Sequence, residues 1–557
     1  MSNNFRQTPN SQQIPAKIVG SSSFGRYHKI SSSFTQNLFE SDSWLVNFAG
    51  YKRKLNFPVS DQGRGIFRSA RGNILIAVVG ANVYLVDKNF VVTKLGQLVT
   101  QSGFVVMDEN LNNQICIVDG LNAYIVNYSL PGNLTIQQGG PLGSNLIPNY
   151  VQFHDTFFLI GNANKTNNGA QWYAYSYNSP TTIIVTSQLA LQTKPDYAVA
   201  VLPIPSQANN VLVFGTTVCE IQTQIGGTQN YRRSSTVNID FGCLSVATIA
   251  SSDKYIVWLG VNEANSPVIM VYNEQSAIPI STDGIDYVLG RINYPAQSTA
   301  LFRRIDGHLF YQLTFFNPAD NLTLIYDFNT QKFFHLTDQN ENFHPALSAV
   351  YFNDKTYFMS INTGALYEES TDFFTYDENI TPVTSPLYVE GLNYDIPRTR
   401  ITESIRKADS GRFVANSFVF TMSQGDDPNV TGLSIASAYP YPILTENAFV
   451  PSNVNLITEQ QNMVILAEQN TGPIVPYSIF PYLPPTKLVY RPRIDMTISK
   501  DSGTIFGNTV SRYLNPVGQR QNIITFGNLG RANDLTIKLR IWSRSNVVLS
   551  DGVVDIY

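Results

Sequence analysis

Five histidines, at positions 28, 154, 308, 335 and 344, and three cysteines, at 116, 219 and 243, are the side chains best suited to nucleophilic, acid–base or metal chemistry in this 557-residue chain. Their spacing assembles no known device. No two His flank a Glu as on a zinc-protease helix, and no Cys pair is separated by two residues. Neither a Gly-x-Ser-x-Gly elbow nor a phosphate-cradling Gly-rich loop ending in Lys-Ser/Thr occurs. Three cysteines are an odd number for a disulfide framework, and they read as small core hydrophobes. The acidic cluster Glu368, Glu369, Asp372 and Asp377 lacks the ligand spacing of a calcium loop and reads as a solvated exit loop. A glycosidase needs two placed carboxylates, and the sequence nominates no such pair. The expectation is a chain without catalytic, cofactor-binding or metal-ligating residues.

Composition narrows the class. Hydrophobic residues make up 43% of the chain and charged residues only 14%, against about 25% charged in an average protein. Asn, Gln, Ser and Thr must therefore build much of the surface, while the Val, Ile, Leu, Phe and Tyr content excludes a disordered chain. A net charge of −4 does not advertise nucleic-acid binding. The N-terminal stretch MSNNFRQTPNSQQIP is polar and has no apolar signal core. No run approaches the roughly 20 apolar residues of a membrane span. The expectation is a protein made and folded in a cytoplasm, with no stable membrane insertion.

The elements show themselves through repetition. AVVGANVYLV (77–86) returns as ICIVDGLNAYIV (115–126) and again as VLVFGTTVCEI (211–221). Each is an apolar run, a turn with Gly, and a second apolar run. Four looser pairs continue the series, so that first strands begin near 73, 114, 154, 210, 254, 308 and 355. Spacings of this size are those of propeller blades, units of about 40–50 residues in four short strands. A strand covered on both faces by neighbouring blades reads as a continuous apolar run, as ILIAVV does. A Gly at the turn supplies the positive φ of a tight hairpin. A sandwich series would place turns every 8–12 residues without the longer period. No segment sustains a helical period for three turns, so the chain should be nearly all β.

Past residue 375 the character changes. Residues 381–425 alternate as strands do. The segment SKDSGTIF (499–506) resembles the Asp-box of sialidase-type propellers, a turn device rather than a catalytic group. Residues 430–486 hold YPYP and FPYLPP and no Lys or Arg. Pro blocks ladder hydrogen bonds there, and exposed apolar patches mark contact surfaces, so this stretch should be a protruding insertion. Residues 487–544 then hold ten Lys and Arg against three Asp. Among these, Arg512, Arg520, Arg531, Lys538, Arg540 and Arg544 are the candidate partner-docking residues. Lys538 and Arg540 share strand parity, and Arg544 joins them if the strand runs on unbroken, with Ile537, Leu539 and Ile541 facing a core. A row of like charges is costly unless acidic residues of a neighbouring subunit, an acidic partner surface or DNA phosphates answer it.

The order of features resembles the tail-nozzle family of short-tailed bacteriophages, also called packaged-DNA stabilisation or tail-hub proteins. The residues that carry the resemblance are Val19-Gly20, Asn37-Leu38, Gly50-Tyr51 with Arg53 and Pro58, NNVLVFGTTVCEIQ (209–222) with Glu220 after the hairpin, DFGCLSVATIASSDKYIVWLG (240–260), and GNLGRANDLTIKLRIWSRSNVVLSDGVVDIY (527–557). The 430–486 segment departs from shorter members of the family.

The resemblance implies a virion structural protein and no enzyme: a homohexameric ring that extends the DNA channel below the portal and its adaptor ring, retains packaged DNA and lets it pass at infection. The implied partners are the adaptor ring, a tailspike or fibre, a distal plug or needle, and double-stranded DNA in transit. The rival reading is a receptor-binding or glycan-degrading tail protein built on a propeller. The expected fold is all-β: a β-propeller of six or seven blades with a β-sandwich-like platform domain formed by the N- and C-terminal regions. The expected divisions are an arm over 1–58 belonging to the platform, a propeller over 59–378, and a C-terminal β domain over 379–557 that carries the insertion.

Overall fold

A computed structural model describes residues 12–24, 33–129, 134–137, 146–164, 171–175, 183–226, 230–376, 394–424, 433–434, 487–488, 492–514 and 521–557. The repeated hairpins are the middle strand pairs of successive sheets. In the first, Ile74–Val79 pairs with Asn82–Val86 around a turn at Gly80, whose φ is +55°. A side chain there would also strike Asp61, 2.3 Å from the position of a Cβ. In the third copy Gly215 is not in the left-handed region. It is required by close approach, because a Cβ would lie 2.5 Å from Asp196 Oδ2 and 2.6 Å from the carbonyl of Val218. The expected positive φ holds at Gly80 and Gly120 but not here.

Among the described residues seven such sheets form the blades of a propeller. The first runs Gly63–Ser69, Ile74–Val79, Asn82–Val86, Val92–Gln97; the sixth runs Ser298–Ile305, His308–Phe315, Leu322–Asp327, Lys332–His335. The second strands begin at 74, 114, 157, 210, 256, 308 and 355, close to the positions read from the sequence. Each blade buries both faces. Ile76 and Val78 pack towards blade two with Ile115 and Ile117, while Leu75, Ala77 and Val79 pack towards blade seven with Phe352 and Tyr357.

Blade seven is completed from the other end of the chain. Its strands Ala346–Phe352, Lys355–Ser360 and Leu366–Ser370 take their fourth partner from Gly50–Leu55, with Tyr51 opposite Glu369. Tyr51 is fully buried, its ring 4.4 Å from Tyr376, 5.1 Å from Phe358 and 5.3 Å from Tyr367 between centroids. A strand within the expected platform arm thus serves the propeller. It closes the last blade, whose inner strand packs against that of blade one.

The remaining strands form a sandwich. One sheet runs Leu38–Ser41, Trp44–Asn47, Val547–Ile556, Phe413–Gln424, Asn522–Ala532, with Gln12–Ala16 also paired to Val547–Ile556. The facing sheet runs Phe34–Gln36, Arg398–Ile401, Asp534–Trp542, Arg493–Ser499, Val510–Tyr513. Ile494, Met496, Ile537, Leu539 and Ile541 from the second sheet pack on Phe418, Phe420, Phe526, Leu549 and Val554 from the first. The second sheet is continuous with blade six, because Phe34–Gln36 pairs in parallel with Lys332–His335 at Gln36 and His335. The sandwich is therefore hydrogen-bonded to the propeller rather than tethered to it. The short pair Leu433–Ser434 and Lys487–Leu488 brings together the two ends of the expected insertion; residues 435–486 lie outside the described residues.

Candidate docking face of the sandwich

The strand Asp534–Trp542 alternates as its sequence requires. Ile537, Leu539 and Ile541 are fully buried, and Lys538 and Arg540 point to the opposite face. Across the sheet, Arg540 stands between Thr399 and Asp495, and Lys538 between Ile401 and Thr497. Arg540 is answered within the chain. It pairs with Glu341, from the segment joining blades six and seven, and its guanidinium lies 4.5 Å from the Trp542 ring. The strand ends at Trp542, so Arg544 does not extend the row. Its Nε donates to Asp395 at 2.6 Å. Arg512 stands opposite Ile494 and so faces the other way, over the Phe526 ring at 5.8 Å. Arg531 is exposed on the other sheet, opposite Val414, and Arg520 lies outside the described residues. The expected three-residue row is thus two residues, Lys538 and Arg540, because the strand stops one turn of the alternation early.

What remains unanswered is a scattered set. Arg512, Arg531 and Lys538 have no ion pair among the described residues, and neither does Lys500. Lys538 Nζ stands over an aromatic face, 5.8 Å from the centre of the Phe506 ring.

Sequence reasoning missed the buried arginines. Arg398 and Arg400 are 0% and 1% exposed. Arg398 donates to the carbonyl of Ser543 at 2.6 Å. Arg400 donates to the carbonyl of Ser21 and to Thr35 Oγ1, at 3.0 and 2.8 Å, and so staples the N-terminal strands to the sandwich. Burial pushes its pKa down to about 10. In the propeller, Arg303 of blade six reaches Glu369 of blade seven, both buried. Glu369 is therefore no part of a solvated loop, as the sequence suggested, but one half of an inter-blade ion pair on the strand Leu366–Ser370. Glu220 is likewise fully buried and accepts from the amides of Gln192 and Thr193 at 3.0 Å, pinning the entry to its blade. Only the alternation of an Arg-x-Arg within a short strand hinted at any of this.

The described histidines serve packing. His154 bridges Tyr231 and the carbonyl of Ala208, each at 2.8 Å. His335 sits between the rings of Phe24 and Phe34, and burial pushes its pKa down to about 3. His344 is fully buried, and burial with the nearby Arg303 holds it well below the usual range. His308 has the hydrogen-bond order of a serine triad, with Asp327 Oδ2 at 2.9 Å from Nδ1 and Ser41 Oγ at 3.2 Å from Nε2. Its ring is packed against Phe39 and Phe310, at 5.2 and 5.8 Å, and the three residues tie the 38–47 hairpin to blade six. We read it as a polar staple. Cys116, Cys219 and Cys243 are buried and free, and no cluster of metal ligands occurs among the described residues. No described helix is long and apolar enough to cross a membrane.

A family model covers residues 32–368, from the first strand of the second sandwich sheet through blade seven. The chain belongs to the family described as Bacteriophage P22 Gp10, beta-propeller. It is thus a structural phage protein of the tail, from a family that stabilises packaged DNA. No curated protein matches the chain. Among solved structures it is similar to virginiamycin B lyase from Staphylococcus aureus, at TM-score 0.40 and 11% identity over 57% of this chain and 99% of that one. It is also similar to the N-terminal domain of Nup159, at TM-score 0.37 and 10% identity over 61% and 99%. The WD40 beta propeller domain of Doa1 follows at 0.35 and 12% over 58% and 97%.

Proposed function

We propose that the chain is the subunit of a homohexameric tail nozzle. The ring extends the DNA channel below the portal and adaptor, retains the packaged genome and lets it leave at infection. The observation that supports this reading is the mechanical continuity of the fold. A propeller closed by its own N-terminal strand shares one hydrogen-bonded sheet with the sandwich, through Gln36 and His335. Such a block carries load without hinging, as a channel wall under internal pressure must. The net charge of −4 also suits a conduit, because each phosphate neutralised tightens binding and would slow ejection.

Docking to the adaptor ring falls to the sandwich and to its unanswered cations, Lys538 and Arg531 first. Arg540 and Arg544 are held by Glu341 and Asp395, so they position the sandwich against its own chain. The test is the native mass of the full chain, alone and with a portal–adaptor complex. A six-subunit species that joins the complex supports the reading, and a monomer that ignores it contradicts it. Lys538→Glu with Arg531→Glu should leave a folded protein that no longer joins. Salt-sensitive DNA binding by the unaltered chain would move these cations from docking to phosphate contact.

A further inference from the structure

Tyr513 and Tyr351 are the two most exposed aromatic side chains among the described residues, at 69% and 55%. Tyr513 lies on Val510–Tyr513, the last strand of the second sandwich sheet, and all four residues of that strand are exposed. Alternation sends Arg512 and Tyr513 to opposite faces of it. Arg512 has no ion pair among the described residues. The edge therefore offers a cation on one face and an aromatic ring on the other.

Tyr351 stands between two hollows on the side of the propeller where blades six and seven meet. One, of about 420 Å³, is mostly apolar and is lined by Phe302, Leu309 and Val350 together with Tyr351. The other, of about 480 Å³, is lined by Asp306, Asp354 and Asp372, and it shares Arg304, Tyr351 and Thr356 with the first. Arg304 is matched by Asp253 and Lys355 by Glu368, while the three Asp have no ion pair among the described residues, so negative charge is in excess. Glu369 also lines this second hollow. It is buried, its Oε1 takes Arg303, and its Oε2 has no hydrogen-bond partner among the described residues. A buried carboxylate oxygen without a donor, beside three unanswered Asp, calls for a cation from outside. An exposed aromatic ring between such hollows suits a contact surface.

Within one chain the fold holds these two regions apart. A single sheet runs from Ser298–Ile305, the inner strand of blade six that carries Phe302 and Arg304, through Phe34–Gln36 to Val510–Tyr513, with these two strands at its ends. Eight strand spacings separate them, roughly 38 Å along the sheet at about 4.8 Å each. A surface whose complement lies elsewhere on the same molecule makes a head-to-tail contact between copies, and such contacts close into rings when the rotation allows.

We propose that the edge strand Val510–Tyr513 of one subunit docks across the Tyr351 ridge of a second copy of this chain. Arg512 enters the acidic hollow and Tyr513 the apolar one, as their opposite faces require. The proposal rests on the ring reading above and names the contact between its neighbouring subunits.

Disulfide trapping in the full-length chain tests it, with native mass measured on the same samples. Tyr351→Cys and Tyr513→Cys, both exposed and placed in one chain, are oxidised mildly and read by non-reducing electrophoresis. The native cysteines are buried and do not compete. The expected result is a ladder of chains linked head to tail, up to six, from a species of six subunits. In otherwise unaltered chains, Arg512→Glu and Asp372→Lys should each raise the concentration needed for half-assembly about threefold, the scale of an exposed charge pair, with the melting temperature unchanged. Combining the two reversals should bring that concentration below the value of either alone. A six-subunit species that yields no link between chains, or a link within one chain, overturns the proposal and leaves the ring standing. A combined reversal that assembles worse than both single ones overturns it too. A chain that stays monomeric at every concentration overturns the ring reading and the proposal with it.

Discussion

Blade seven of the propeller and the outer edge of the sandwich face the same problem, a sheet that must end, and solve it in opposite ways. Blade seven is sealed by Gly50–Leu55, and the side chain that enters with it, Tyr51, is 0% exposed within a cage of four aromatic rings. The sandwich edge is left with Ile523, Ile505 and Tyr513 more than two-thirds exposed. Closure makes the propeller insensitive to its surroundings. The open edge gives the sandwich something to offer a partner strand, at the risk of misassociation.

The comparison can be broken most directly by truncating one aromatic on each side of it. Tyr51→Ala removes a caged ring at the closure and should cost about 3–5 kcal/mol, as large core truncations do, measured by urea denaturation of the full chain. A cost below 1 kcal/mol would mean that the strand does not hold the ring closed. Next in size is Arg303→Met, which leaves Glu369 buried without its cation and should cost about 3 kcal/mol. Adding Glu369→Leu should recover most of that loss, since a packed apolar pair of similar volume is no worse than a buried ion pair. If the double variant were as unstable as the single one, the pair would be more than a satisfied inter-blade contact.

Acid should then separate the interior from the edge. His344 and His335 are both held below the ordinary value of 6.5 by burial. Their folded forms bind fewer protons than the unfolded chain, so the stability they contribute is present above pH 6.5 and is lost as pH falls below it. The melting temperature should decline on acidification from pH 7 to pH 5, and His344→Gln should flatten that slope. An unchanged slope would remove His344 as its source. The smallest effect belongs to the edge: Tyr513→Ala and Ile523→Ser should each move stability by about 0.5 kcal/mol or less, while lowering the binding of an apolar dye.

The sequence made the propeller legible because its hairpins are local. Ile74–Val79 and most of its six counterparts are largely apolar runs whose hairpin partner comes next in the chain, so composition and spacing placed them within three residues of the observed strands. The closing strand was illegible for the opposite reason. GYKRKL is half cationic, and its partner Leu366–Ser370 lies more than 300 residues away. The N-terminal sandwich strands Phe34–Gln36 and Leu38–Ser41 are too short to show alternation. The helix Asp283–Leu289, at seven residues, is too short to show a period. At the docking face, the parity of Lys538 and Arg540 followed from strand geometry alone. That Glu341 and Asp395 answer Arg540 and Arg544 did not, because Glu341 comes from a connection and Asp395 from the short strand Tyr394–Asp395 at the end of the blade-seven sheet, and only the fold brings them near. The exposed edge at Ile505, Tyr513 and Ile523 was hidden for a related reason. Which strand ends a sheet is a property of the whole pairing order.

Single-particle imaging of the full chain bound to a portal–adaptor complex tests the central claim most directly. The account predicts a six-fold ring whose sandwich, with Lys538 and Arg531, meets the adaptor while the closed propellers stand clear as rigid seven-bladed discs. A complex joined through the propeller faces, or particles in which no ring forms on the adaptor, would contradict it.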